Sequence, residues 1–215
     1  EMTEVHYELE TNKAYSKIEN EVITKENIIF LVDAMSDCII RNEVSFCELD
    51  SHAGDGDFGM SVAKGFKRLK EEWASILATA DGIGAFLDAC SMVIMEHCGG
   101  ASGPIWGSAF RAAGKYAAGK KTLNKTEFAE MLQSAVVGIQ KTGERSFGRG
   151  AVEGDKTLMD ALIPCADTWK ELAATDAAMA DIFEKAAIVA VAGAKKTEMI
   201  VARMGRAGTV GERSI

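Results

Sequence analysis

Apolar residues recur every three or four positions along most of this chain, the spacing that gathers them on one face of an α-helix. Ile28, Leu31, Met35 and Ile39 form the first such stripe, behind Thr24, a residue suited to cap a helix start. Met60, Ala63, Leu69, Trp73 and Ile76 form a second, and Phe86, Cys90, Val93 and His97 a third. Phe128, Leu132, Val136 and Ile139 follow, then Leu158, Leu162, Cys165 and Trp169. The run 176–203 reads as one long helix or one interrupted at Gly193. No segment alternates apolar and polar positions between turn signals, which argues against a parallel α/β sheet. The expected fold class is therefore all-α: an antiparallel barrel or bundle of about seven to eight helices, its glycine-rich loops gathered at one end. Residues 1–23 are polar and weakly patterned, and are expected as an N-terminal extension to one domain over 24–215.

Composition narrows the partners. The 215 residues carry a formal net charge of −8, which disfavours nucleic acid, since phosphate backbones are gripped by Lys/Arg surfaces. It does not disfavour a nucleotide, because a bound metal reverses the local sign. The cysteines (38, 47, 90, 98, 165) never form a CxxC pair, and reduced core thiols in a cytoplasmic protein are the simplest reading. The chain opens without a basic stretch followed by an apolar one, so no secretory signal is expected. Ile83 to Met95 is too short to span a bilayer and contains Asp88, so it reads as a buried helix and no membrane partner is expected.

The most informative chemistry is a cluster of acids in a glycine-rich turn. Asp50, Asp55 and Asp57 fall within Asp50-Ser51-His52-Ala53-Gly54-Asp55-Gly56-Asp57-Phe58-Gly59. Carboxylates held so close repel one another unless something positive sits among them, and the glycines let the backbone fold tightly around it. Mg²⁺ is bound in this way, by a few carboxylates together with substrate phosphates. The formal Gly54-x-Gly56-x-x-Gly59 match to a dinucleotide fingerprint is accidental here, because Asp55 and Asp57 would repel a bare pyrophosphate. An EF-hand loop also fails, with Phe66 where an acid is required. A solvated acidic turn is the bland alternative.

Three further segments invite phosphate. Cys98-Gly99-Gly100-Ala101-Ser102-Gly103-Pro104 describes a helix start with exposed amides, where Ser102 could cap the helix or bind a phosphate oxygen and Pro104 suits the first turn. A tight helix–helix turn is its bland reading. Gly154-Asp155-Lys156-Thr157-Leu158-Met159 is a glycine loop running into a helix that Asp155 or Thr157 could cap. Arg206 lies in the arginine-bearing loop 203–214, which suits phosphate clamping, though charge also collects harmlessly near chain ends. His6, His52 and His97 carry little: His6 is in the extension, His97 is on an apolar face, and His52 merely neighbours the acids.

Taken together, these segments resemble the nucleotide-binding L subunits of dihydroxyacetone kinases. The resemblance rests on Glu48-Leu49-Asp50 with Gly54-Asp55-Gly56-Asp57-x-Gly59, Gly99-Gly100-Ala101-Ser102-Gly103-Pro104, Gly154-Asp155-Lys156-Thr157-x-x-Asp160-Ala161-Leu162, Gly205-Arg206-Ala207 and Gly211-Glu212-Arg213-Ser214-Ile215, in the family's order. It implies a helical barrel with ADP or ATP at one end. Asp50, Asp55 and Asp57 would hold two Mg²⁺ ions that bridge the phosphates. Gly99, Gly100, Ala101 and Ser102 would contact phosphate, Gly154, Thr157 and Met159 would lie near base or ribose, and Arg206 would touch phosphate and complete the catalytic set with the aspartates. The family's ketose sits on a separate K subunit, and its sequences continue past the position of Ile215 through a further loop and helix.

Phe58 stands where phosphotransferase-dependent members have His, and Ser61 where they have Asn near the phosphates. The resemblance leaves two phosphoryl sources: ADP kept as a coenzyme and recharged by a phosphohistidine on an M subunit, which is favoured, or exchangeable ATP, as in a tetrulose kinase. A fatty-acid-kinase nucleotide domain, a nucleotide-sensing partner of a transcription regulator, a homodimer, and a helical metal binder without catalysis are the other readings.

Overall fold

The computed structural model describes residues 11–215, so His6 and the first ten residues of the expected extension lie outside it. Among the described residues there are nine α-helices: α1 Lys25–Arg41, α2 Glu43–Asp50, α3 Phe58–Glu71, α4 Trp73–Thr79, α5 Gly82–His97, α6 Ser102–Tyr116, α7 Lys125–Phe147, α8 Met159–Ala173 and α9 Met179–Lys196. The all-α expectation holds. The count is higher for two reasons. α2 has no buried stripe of its own to announce it, and the stripe from Met60 to Ile76 is divided at Glu72 into α3 and α4. Met60 is exposed; Ala63 and Leu69 are buried as expected, and Val62 and Phe66 complete the buried face of α3.

Thr24 caps α1 as expected. Its hydroxyl accepts from the Asn27 N–H (3.2 Å), and the Asn27 side chain accepts from the Thr24 N–H (2.9 Å), a reciprocal box. Asn124 and Glu127 build the same device at α7 (2.8 and 3.0 Å). Both caps require extended backbone just ahead of the helix, and these two extended stretches pair: β1 (Ile23–Thr24) lies antiparallel to β2 (Thr122–Leu123). Capping chemistry, rather than alternation, thus produces the one small ladder among the described residues. Residues 11–22 lie against the bundle, with Tyr15 and Ile18 packed on the core and the Tyr15 and Lys17 carbonyls accepting from Asn27 Nδ2 (both 2.9 Å).

From α5 onward, successive helices run antiparallel. Tyr116 of α6 hydrogen-bonds Glu130 near the start of α7, and Ser108 meets Thr142 near its end. Gln133 of α7 donates to Asp167 of α8. The core is led by Phe66, Phe86, Phe128 and Trp169, each at most 2% exposed. Each such side chain contributes on the order of 1.5–3 kcal/mol by leaving water. Trp169 stands edge-on to Phe128 and Phe183, with centroids 4.6 and 4.8 Å away. One ion pair is fully enclosed in this core: Lys70 with Asp33, whose side chains are 2% and 0% exposed. Lys70 also lies 5.2 Å from the Trp73 ring centroid, and Asp33 accepts the Thr11 N–H (3.1 Å).

α9 runs unbroken through Gly193, so of the two readings the uninterrupted helix holds. The glycine serves packing instead: a Cβ there would come 2.1 Å from the Asp160 carbonyl oxygen of α8. Gly193→Ala is therefore expected to cost about 1–3 kcal/mol by overpacking, read as a lower urea midpoint at unchanged slope. An unchanged midpoint would show that α8 and α9 have room to part.

All five cysteines are free; Cys90 and Cys98 are buried, but Cys38 is exposed and so is not the core thiol expected. Burial pushes the Cys98 thiol up to about 11. No helix among the described residues is long and apolar enough to cross a membrane.

Candidate active site

The antiparallel order places the α3, α6 and α8 starts and the α5, α7 and α9 ends together, with their connecting loops. Asp50 is the last residue of α2, and its carboxylate is the hub of the acidic loop. Asp50 Oδ2 accepts from the N–H groups of Gly56 (2.9 Å), Asp57 (3.1 Å) and Phe58 (3.3 Å). Three orphan donors at the α3 start are thereby satisfied by one residue from the preceding helix. Oδ1 accepts no hydrogen bond among the described residues. Two glycines make this possible. A Cβ at Gly54 would fall 2.2 Å from Asp50 Oδ1, and Gly56 has a φ of +76°. A third, Gly59, lets α3 press on α2: its Cβ would lie 1.9 Å from the Glu43 carbonyl oxygen.

The loop brings one oxygen from each of Asp50, Asp55 and Asp57 within 4.8 Å of one another. The counter-charge in this structure is Arg206, whose guanidinium pairs with the Asp55 carboxylate. That pairing holds the Asp55 carboxyl below the usual carboxylate range. Asp57 moves the other way, raised by desolvation and by the neighbouring Asp55 charge. Two adjacent acids are thus driven apart in proton affinity.

One turn into α3, Ser61 meets the second expected segment. The Ser61 carbonyl accepts the Gly99 N–H (2.9 Å), and a Cβ on Gly99 would lie 2.9 Å from Ser61 Oγ. Gly100 takes a φ of +53°, and the Gly100 and Ala101 N–H groups have no acceptor among the described residues. Free amides at a helix start favour an anion. Ser102 does not cap α6; it is the first helical residue, buried, and Ala101 holds the cap position. Pro104 sits in the first turn as expected.

The third segment is organised by Asp160, which stood in the quoted motif without a role. Asp160 reaches back from α8 to accept the N–H groups of Gly154 (2.6 Å) and Thr157 (2.8 Å). The Thr157-x-x-Asp160 spacing is the capping-box signature that could have revealed it. Thr157 Oγ1 accepts the Met159 N–H (3.1 Å), whereas Asp155 caps nothing and takes a bidentate pair from Arg149 (2.6 and 2.8 Å). Met159 is 1% exposed and packs with Ala151 and Ala166 below the loop. The Asp155 carbonyl accepts the Arg203 N–H (3.0 Å), which ties the C-terminal loop to this one. Phe58 leans on Phe46, ring centroids 5.9 Å apart.

The Arg149 pairing lowers the Asp155 proton affinity. Asp155 therefore adds stability that is complete above the unfolded value of about 3.9 and is lost as pH falls through its lower folded value. In pH-resolved urea titrations Arg149→Met is expected to be less stable than the parent at neutral pH, with the gap closing as pH falls below about 3.9. An unmoved acid limb would show that the pair does not couple to folding.

An acid-lined glycine turn beside free helix-start amides, on one end of an all-helical bundle, has the donor chemistry that a cation and a phosphate would need. The DAK2 domain family matches residues 52–215, and the chain belongs to that family. It is 32% identical over 167 residues to the ADP-binding subunit of PEP-dependent dihydroxyacetone kinase 2 from Listeria innocua, covering 78% of this chain and 74% of that one. The corresponding ADP-binding subunit from Escherichia coli is 31% identical over 167 residues, 78% of this chain and 76% of that one. D-erythrulose kinase of Mycolicibacterium smegmatis is 30% identical over 183 residues, 85% of this chain but 30% of that longer protein.

Proposed function

We propose that this chain binds a magnesium nucleotide at the Asp50–Asp55–Asp57 loop and passes a phosphoryl group to a short ketose, of the dihydroxyacetone type, held on a separate K subunit. The carrying observation is the convergence of three carboxylate oxygens within 4.8 Å, one helical turn from the Gly99–Ser102 turn. Three hard oxygen donors suit Mg²⁺, and the free Oδ1 of Asp50 leaves that residue able to serve as a ligand while Oδ2 holds the turn. When bound, Mg²⁺ would neutralise phosphate charge and polarise the transferring group. The Gly100 and Ala101 amides would hold phosphate oxygens, and Arg206 offers a guanidinium that carboxylate and phosphate can both engage. Gly154, Thr157 and the backbone at Met159 would border base or ribose. No side chain here is assigned to take the ketose proton; that role falls to the partner, so this subunit works by positioning and charge.

The match to separate ADP-binding subunits over most of their length supports the coenzyme form, in which ADP stays bound and a phosphohistidine on an M subunit recharges it. Phe58, tilted against Phe46 and offering no imidazole, supports the ATP-exchanging alternative. Mass spectrometry of the purified protein decides: retained ADP with Mg²⁺ is expected, whereas an empty site that takes up Mg·ATP would favour exchange. Failure to bind either nucleotide, with or without Mg²⁺, would end the kinase reading.

A further inference from the structure

A large hollow lies away from the acidic loop. It is a groove of about 1110 Å³ along the seam between α6 and α7. Its floor is where the helices touch: a Cβ on Gly138 would lie 2.8 Å from the Ser108 carbonyl oxygen, and Ser108 Oγ is 2.6 Å from Thr142 Oγ1. Arg111 and Lys115 stand one turn apart on the α6 bank, Lys141 and Arg145 one turn apart on the α7 bank. All four are exposed, and none forms an ion pair among the described residues. Glu130, at the far end, is engaged by the Tyr116 hydroxyl and lines a neighbouring hollow.

Like charges one turn apart weaken each helix rather than stabilising it. They do so in a chain whose net charge is −8, so this strip is the reverse of its surroundings. Between the banks the lining is partly apolar, with Val137 44% and Met95 36% exposed, and Ala112 between them. From Pro104 to Tyr116 the groove follows α6 for ~18 Å at 1.5 Å per residue, long enough for three turns of another helix.

We propose that the α6–α7 groove docks an acidic amphipathic helix of a partner protein, its apolar side on Val137 and Ala112 and its carboxylates against the four cations. This is the mode in which an amphipathic helix lies in a groove, with charge setting orientation and encounter rate. A single nucleotide or phosphate is better served by an enclosed pocket of convergent polar groups; here the cations stand apart on two open banks. The Pro104 end adjoins the Gly99–Ser102 turn, so a partner seated here is held beside the acidic loop. Only the reason for that placement rests on the proposed function; the docking itself does not.

The test uses a fluorescein-labelled peptide of about 14 residues with Leu at three- and four-residue helical spacing and Glu elsewhere. Saturable binding at low salt is expected, weakened by added salt, with amide shifts in NMR spectra confined to α6 and α7. The charge reversals K141E/R145E and R111E/K115E, checked for folding by circular dichroism, are each expected to weaken binding about tenfold or more. Mg·ADP titration of the same variants should match the parent, which separates this surface from the nucleotide site. No saturable binding, equal binding of a Lys-for-Glu peptide, or tighter binding of inorganic tripolyphosphate than of the peptide would each overturn the proposal.

Discussion

Asp55→Ala is expected to abolish Mg²⁺-dependent nucleotide binding and to slow phosphoryl transfer by on the order of 10²-fold or more, while the protein unfolds where the parent does. The reasoning is that Asp55 is a half-exposed side chain at 48%, paired with Arg206 rather than set into the core. Surface changes of this kind shift stability by only about 0.5 kcal/mol. Asp50→Ala should behave differently, because it also strips the acceptor from three amides at the α3 start. Calorimetric titration with Mg·ADP and Mg·ATP, repeated in EDTA, gives the binding comparison, and a thermal melt gives the stability. Undiminished affinity in the Asp55 variant would remove the acidic trio from the site.

The largest loss of stability is expected from Lys70→Met, about 3–5 kcal/mol, because it leaves the Asp33 carboxylate buried without its cation. Asp33 side-chain exposure is 0%, so water cannot replace the ammonium. Adding Asp33→Leu to Lys70→Met should restore much of that loss, since an apolar pair avoids desolvating two charges. Urea unfolding of the single and double variants checks both. A single variant within 1 kcal/mol, roughly, of the parent would contradict the enclosed pair, since breaking buried pairs ordinarily costs several times more.

Local signals carried much of the fold. Thr24 and its partner Asn27 sit within one turn, so the helix start is written in adjacent letters, and the stripes at Phe86 and Phe128 sit on the buried faces as read. Met60 misled because periodicity names a face without saying how wide it is, and α3 turns Val62 and Phe66 inward instead. Gly193 left two readings open because a glycine that breaks a helix and one that lets a neighbour close in look identical in one dimension. Sequence proximity made the acidic trio legible. Arg149 with Asp155, Asp33 with Lys70, and the four-cation strip were not, because nothing short-ranged marks which charges a tertiary fold will bring together or leave apart.

The tether between Arg206 and Asp55 spans most of the chain, and the Arg203–Asp155 link adds a second distant stretch. Such far-flung closures are entropically slow compared with coiling a single segment. During refolding, helicity should therefore return first and ligand uptake later, within the same stopped-flow trace. The protein would pass through a stage that is already built and still chemically mute.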